Sequence, residues 1–331
     1  MRYADLDALY HQTFFSLLQQ AREVHEDHWS DSSVQLCALL SIKTGGCSED
    51  CSYCAQSAHY PSGLDSERLM EKGQVLEQAR VAKENGSTRF CMGAAGRGVR
   101  IGTREFESVL EIVREVAALE IEVCVTLGEL GAEEAEALRQ AGVTAYNHNI
   151  DTSPENYPNI VTTHGFQDRL NTIRHVQDSG MSVCCGGILG LGETVEDRLR
   201  MLEVISEFNP PPESIPINTL MPMPGTPLAD GKPIDAFDLA RLIALTRISV
   251  PRARVRLSAG RTCLSDEAQA LCFFAGANSI FYGDKLLTAA NPAVQNDLAL
   301  LEKIDLEAKP ADRSAPAPCS NPERPLSPAP K

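Results

Sequence analysis

Apolar positions along the chain change their period in an ordered way. Leu6, Leu9, Tyr10, Phe14, Leu17, Leu18 and Val24 recur at helical spacing and predict one amphipathic helix over 5–28. From residue 34 onward, short β-branched or apolar runs alternate with longer helical patterns. The runs predict strands at 34–42, 87–91, 121–126, 143–149, 181–189, 214–220, 252–257 and 277–281. The stretches between them predict helices near 66–85, 103–118, 130–141, 166–179, 193–207, 235–248 and 265–275. Several close on a glycine signal, as at Asn85-Gly86, Ala141-Gly142, Ser179-Gly180 and Ala275-Gly276.

Strand–helix alternation implies a parallel sheet. Eight strands fit a closed (β/α)8 barrel of the TIM type. The other candidate, an open doubly wound sheet, lacks a GxGxxG after the first strand. The expected organisation is an N-terminal helical segment over 1–33, the barrel over 34–306 and a tail over 307–331. The stretch "KPADRSAPAPCSNPERPLSPAPK" in that tail is rich in Pro, Ala and Ser. It cannot bury enough apolar surface to offset its ordering entropy, so the tail is expected to be disordered and its Cys319 not to be a ligand.

Composition narrows the partners. With 43% hydrophobic residues in 331, the chain can build a sizeable core. It carries 30 basic and 45 acidic residues, a net charge of −15, and no basic run. Nucleic acid and anionic membranes are therefore poor partners, and a small substrate is expected. No apolar run is long enough to span a bilayer, and "MRYADLDALYHQ" has no secretory pattern, so a cytoplasmic location is expected. In that reducing setting the 11 cysteines point to metal or catalysis more than to disulfides.

Three of them form "CSEDCSYC", with Cys47, Cys51 and Cys54 spaced C-x3-C-x2-C. Cys51-x2-Cys54-x4-His59 begins like a zinc knuckle, but Leu64 stands where the last cysteine would fall. Buried structural thiols fit poorly with the polar neighbours Gly45, Gly46, Ser48, Glu49 and Asp50. A 4Fe–4S cluster held by three thiolates fits best, because it leaves one iron open to a substrate. The loop follows the first strand, at the face where barrel enzymes place their chemistry.

Other reactive residues fall near strand ends. Cys91, Cys124, Cys184 or Cys185, and Arg254 or Arg256 come from four separate strands, and a buried arginine needs an anionic partner. Asn147, Asn149 and Asp151 alternate on one face of the fourth strand while His148 points away. Asn218 could add an amide from the sixth. Buried polar groups of this kind make sense around a polar ligand.

The triplet with Tyr53 before its last cysteine resembles the signature of the radical S-adenosylmethionine enzymes. Longer blocks resemble the biotin synthase family within them: "LLSIKTGGCSEDCSYCAQS", "GSTRFCMGAA", "YNHNIDTSPE", "GGILGLGET", "PPESIPIN", "GTPLAD", "VRLSAGR" and "CFFAGANSIFYGDKLLT". They run from about residue 34 to 292. The resemblance implies a homodimeric (β/α)8 barrel that inserts sulfur into dethiobiotin. It implies a 4Fe–4S cluster on Cys47, Cys51 and Cys54 that cleaves S-adenosylmethionine to a 5′-deoxyadenosyl radical. It also implies a 2Fe–2S sulfur donor on Cys91, Cys124, Cys184 and Arg256, thereby choosing within both ambiguous pairs. Where Cys185 stands the family commonly has serine. By the same resemblance Asn149 and Asp151 hold the adenosine ribose, Arg169 reaches the methionine carboxylate and Tyr53 lies at the cofactor. Asn147 and Asn218 meet the ureido ring of dethiobiotin, and "MGAA" (Met92 to Ala95) lets backbone approach the cofactor. A flavodoxin or ferredoxin is the implied electron donor.

Overall fold

The computed structural model describes residues 1–29 and 32–308. Two helices, α1 (Tyr3–Tyr10) and α2 (Phe14–His28), come first. There follow β1 (Ser33–Lys43), α3 (Lys72–Glu84), β2 (Arg89–Ala94), α4 (Arg104–Ala117), β3 (Glu122–Thr126), α5 (Ala132–Ala141) and β4 (Ala145–Asn147). Next are α6 (Tyr157–Ile160), α7 (Phe166–Asp178), β5 (Ser182–Cys184), β6 (Gly187–Leu189), α8 (Val195–Glu207) and β7 (Ser214–Thr219). The described residues end with α9 (Ala236–Ser249), β8 (Arg254–Leu257), a 3-10 turn at Arg261–Cys263, α10 (Asp266–Phe274), β9 (Ser279–Phe281), α11 (Val294–Lys303) and β10 (Glu307–Ala308).

All named strand pairs are parallel, and β1 pairs with both β2 and β9, so the sheet closes. The order round the barrel is β1-β2-β3-β4-β5-β7-β8-β9, with β6 continuing the β5 stave against β7. This is the expected (β/α)8 barrel. Its helices turn apolar stripes inward. In α4, Phe106, Val109, Val113 and Val116 are buried at helical spacing, and the Thr103 hydroxyl accepts from Phe106 N at the helix start. Each such fully buried side chain is worth roughly 1.5–3 kcal/mol. No helix among the described residues is long and apolar enough to cross a membrane.

Four differences from the expected elements have physical causes. The single helix over 5–28 is two, because Arg241 of α9 takes the carbonyls of Tyr10 and Gln12 that a continuous helix would use internally. The helix expected from 66 starts at Lys72; Glu67 and Met70 instead donate their backbone N–H to Thr44 and Ile42. The strand expected over 181–189 breaks after Cys184. There Gly186 lies so close to β7 that a Cβ would fall 1.9 Å from the Pro216 carbonyl oxygen, and the backbone of Asp151 inserts to pair with Gly187. Finally, β10 pairs Glu307 and Ala308 with Ser33 and Val34, so the first two residues assigned to the tail belong to the folded unit. The rest of that tail lies outside the described residues.

The lumen is layered by strand register. At the N-terminal end Arg89 pairs in register with Glu122, and its guanidinium reaches Glu122 and Glu213 at 2.9 Å each. Arg254 also approaches Glu213, at 3.6 Å. One layer higher, Cys91 pairs with Cys124, Cys124 with Ala145, and Arg256 with Ser279. Above these the strands open into a cavity.

Candidate active site

The cavity lies at the C-terminal ends of the strands and is lined by Tyr53, Cys54, Cys91, Cys124, Asn147, Asn149, Asp151, Asn218 and Arg256 among others. Cys47 and Cys51 stand in the loop behind Cys54, Cys184 lies against Asn147, and Arg169 enters through Asp151. The structure thus brings the sequence-predicted residues to one end of the barrel.

The triplet loop between β1 and α3 begins at Gly45 and Gly46, with φ of 72° and 68°. A Cβ on Gly45 would lie 2.6 Å from the Asp65 carbonyl oxygen, so glycine is required by both conformation and space. The loop is latched by the segment after β4. Ser52 N donates to Ile160 O at 2.9 Å. The backbone N–H groups of Thr162 and Thr163 donate to Asp50 Oδ1 at 2.9 and 3.1 Å. Thr163 Oγ1 donates to Glu49 Oε2 at 2.7 Å, and His164 Nδ1 bonds the same oxygen. Burial alone would raise both carboxyls, but these bonds outweigh it and hold Glu49 and Asp50 below the usual carboxylate range. The thiols behave oppositely: burial pushes Cys51 and Cys54 up.

A hydrogen-bonded chain crosses from this loop to the strands. Tyr53 OH donates to Asp151 Oδ2 at 2.9 Å, and Arg169 Nη2 donates to the same oxygen at 3.2 Å. Arg169 Nε donates to Tyr157 OH at 2.7 Å, and Tyr157 OH lies 2.9 Å from His164 Nε2. Asp151 is a non-glycine residue at φ 65°, a strained backbone region typical of functional positions. Burial raises its carboxyl although Arg169 and Tyr53 oppose the shift. Glu49 was read only as a polar neighbour of the triplet, and Tyr157 and His164 went unread because they lie between periodic segments; the clustering of an aromatic and a histidine just after the polar strand was the available signal.

The alternation read from "NHNID" holds. Asn147 and Asn149 face the cavity, while His148 is buried outside beside Tyr146, and burial lowers it well below an ordinary histidine. Asn149 Oδ1 accepts from Asn147 Nδ2 at 3.2 Å and from Gly186 N at 3.1 Å. Asn218 is fixed by Ala259 N and by the Gly187 carbonyl. Thr126, unremarked in the sequence, donates to Asn147 Oδ1 at 3.1 Å. In the "MGAA" stretch the space beside Gly93 is filled by Leu287, whose Cδ2 would lie 2.6 Å from an added Cβ.

The two ambiguous pairs separate in space. Cys184 Sγ accepts from Asn147 Nδ2 at 3.2 Å and from Arg256 Nη1 at 3.5 Å. Cys185 packs instead in the apolar core around the barrel. Arg254 lies over the Trp29 ring, 5.0 Å from its centre, at the lower layer. Arg256 is 1% exposed and donates Nε to Ser279 Oγ at 3.0 Å. Its Nη2 is buried without a partner, and no carboxylate pairs with it among the described residues. Cys91 and Cys124 touch one another, and their hydrogen bond together with burial pushes the Cys91 thiol well up.

These groups fit iron–sulfur clusters. A buried guanidinium with an orphaned nitrogen calls for a nearby anion, and neutral buried thiols become thiolates when iron takes them. Among the described residues no three His, Cys, Asp or Glu side chains close on one point as the ligands of a single ion do. Ligands of a multi-iron cluster are shared among several irons and need no such convergence.

Residues 41–205 match the Radical SAM superfamily, and residues 216–307 match the Biotin and Thiamin Synthesis associated domain. The biotin synthase of Bordetella avium is 54% identical over 305 residues, covering 92% of this chain and 94% of that protein. That of Gloeobacter violaceus is 55% identical over 306 residues, covering 92% and 96%. Among solved structures, methylornithine synthase (PylB) superposes with a TM-score of 0.80 at 18% identity, covering 94% of each chain. The hydrogenase maturase HydG of Carboxydothermus hydrogenoformans gives 0.77 at 18% identity, covering 92% of this chain and 75% of its own. Both structures share the fold.

Proposed function

The chain belongs to the biotin synthase family of radical S-adenosylmethionine enzymes, and we propose from that premise how its own residues carry the reaction. It is a sulfurtransferase that inserts sulfur into dethiobiotin to form biotin. Cys47, Cys51 and Cys54 hold the 4Fe–4S cluster and leave one iron to S-adenosylmethionine. Cys91, Cys124, Cys184 and Arg256 hold a 2Fe–2S cluster. When bound, the first supplies the electron that cleaves the sulfonium to a 5′-deoxyadenosyl radical, and the second supplies sulfur.

The free hydrogen-bonding capacity of the lining supports the remaining roles. Asp151 Oδ2 is spent on Tyr53 and Arg169, so Oδ1 is left to accept from the ribose hydroxyls. Asn149 Oδ1 is spent on Asn147 and Gly186, so its Nδ2 donates there. Arg169 uses Nε and Nη2, which leaves Nη1 for the methionine carboxylate. Asn218 uses one Nδ2 hydrogen on Gly187 O; the other donates to the ureido carbonyl, and Asn147 Oδ1 accepts a ureido N–H. Leu286 and Leu287 line the mouth from the loop after β9 and exclude water, which would otherwise quench a carbon radical.

Residues 34–306 act as one catalytic unit, with helices α1 and α2 outside the barrel. The enzyme works as a cytoplasmic homodimer reduced by a flavodoxin or ferredoxin; the free thiols among the described residues fit a reducing compartment. One observation carries the cluster assignment: Arg256, buried among thiols with no carboxylate. The test is anaerobic reconstitution followed by iron, sulfide and Mössbauer analysis. Two cluster types and conversion of dethiobiotin to biotin are expected. Deoxyadenosine formed without biotin, with both clusters present, would overturn the assignment.

A further inference from the structure

Cys37 carries no role above, yet it adjoins the ring: its backbone pairs in register with Arg89 of the floor, while its side chain clusters with the ring thiols. It lies on β1, fully buried, in one cluster with Cys91, Cys124 and Ala145. Its Sγ is 3.7 Å from Ser279 Oγ, the hydroxyl that also accepts from Arg256 Nε. The Arg256 guanidinium therefore has the Cys37 thiol near it as well as that of Cys184, and its Nη2 remains unpartnered among them. The other buried cysteines outside the site, Cys185 and Cys272, pack in the apolar layer between barrel and helices. Cys37 does not share that setting.

A 2Fe–2S cluster takes four protein ligands. The ring and its edge offer five candidates: four thiols and one guanidinium. We propose that Cys37 is a reserve ligand of the 2Fe–2S cluster, able to take the iron position that Arg256 otherwise fills. This rests on the cluster assignment above. In the exchange an Fe–N bond to Arg256 breaks and an Fe–S bond to Cys37 forms. The thiol proton passes to the released nitrogen and restores the guanidinium, so no oxidant or reductant is consumed. Ligation becomes all-thiolate, the cluster gains one negative charge, and Arg256 becomes its counter-ion.

The test compares the whole chain with Cys37→Ser, Arg256→Ala and the double variant, each reconstituted anaerobically with iron and sulfide. Resonance Raman and Mössbauer spectra read the 2Fe–2S ligands, and potentiometry reads its midpoint. The 4Fe–4S signal, held by a loop outside the ring, reports correct folding. Arg256→Ala should show a four-thiolate pattern and a more negative midpoint, since added negative charge disfavours reduction. Adding Cys37→Ser should abolish both changes. Identical spectra from the single and double variants would overturn the proposal while leaving the cluster assignment standing. Wild-type protein with a 4Fe–4S but no 2Fe–2S cluster would instead sink the assignment and this proposal together. Should the double variant lose its 4Fe–4S signal, Arg256→Met with Cys37→Ala repeats the comparison with apolar replacements.

Discussion

Two arginines line the barrel one layer apart, and their surroundings differ in kind. Arg89 is 3% exposed and meets Glu122 and Glu213 at 2.9 Å each. Arg256 is 1% exposed and meets a serine hydroxyl, a thiol and the face of Phe281, with no carboxylate. Both are almost fully desolvated, and a buried cation stripped of its anion is destabilising. The floor is electrostatically complete within the chain. Among the described residues the ring above it has no anion of its own, and the proposed 2Fe–2S cluster would supply one. The first arrangement is architecture and the second is a receptor.

The largest expected effect tests the receptor. Cys184→Ser should remove the 2Fe–2S signal, leave the 4Fe–4S signal and cut biotin formation at least ~100-fold. Cys185→Ser should keep both clusters and cost about 1–3 kcal/mol for a hydroxyl placed in the apolar core. Reversed outcomes would exchange the two thiols.

The next test is of the floor. Glu213→Gln leaves Arg89 with one carboxylate. Breaking a fully buried pair costs about 3–5 kcal/mol. Glu213 keeps 33% of its side chain in water, so about 2–3 kcal/mol is expected, read by urea denaturation of cluster-free protein. The matching change above, Arg256→Met in cluster-free protein, should cost less than about 1 kcal/mol or stabilise, because it removes a buried cation that has no anion. Equal losses from the two variants would break the comparison.

The smallest effect is in pH. Burial alone would raise Glu213, but Arg89 outweighs it and holds the carboxyl below its ordinary range. A depressed carboxylate stabilises fully above its unfolded pKa of about 4.3 and loses that contribution as pH falls through the folded value. The ring has no such acid, and Cys37 and Cys91 are raised thiols that stay neutral in acid. Acid unfolding of the wild type should therefore be steeper below about pH 4 than that of Glu213→Gln. Curves of equal slope would remove the floor from the acid response.

The comparison also marks what the sequence could show. Strand parity was enough for Asn147; β4 ends there, yet Asn149 and Asp151 beyond it also reach the cavity, Asp151 from a left-handed backbone. Parity gives a face but no depth. Arg254 and Arg256 share a face, and only register places one at the floor and the other in the ring. Parity also presumes an unbroken strand, so the break after Cys184 was invisible, and with it the reason adjacent cysteines end in different environments. Cys37 was hidden in "VQLCALLSI", which reads as uniformly apolar. Helix α11 and strand β10 were missed because the chain past β9 was read through its Pro-rich end rather than its own short pattern. Tyr157 and His164 lie where no period operates at all.

The latch on the triplet loop has a consequence in time. Its partners, Ile160, Thr162, Thr163 and His164, and Arg169 beyond them, lie over 100 residues after the cysteines they secure. A chain is made from its N-terminus, so the three thiols emerge long before anything exists to close the loop around them. During that interval they sit on an open, untethered segment. Closure of the loop therefore waits on synthesis of the segment from Ile160 to His164.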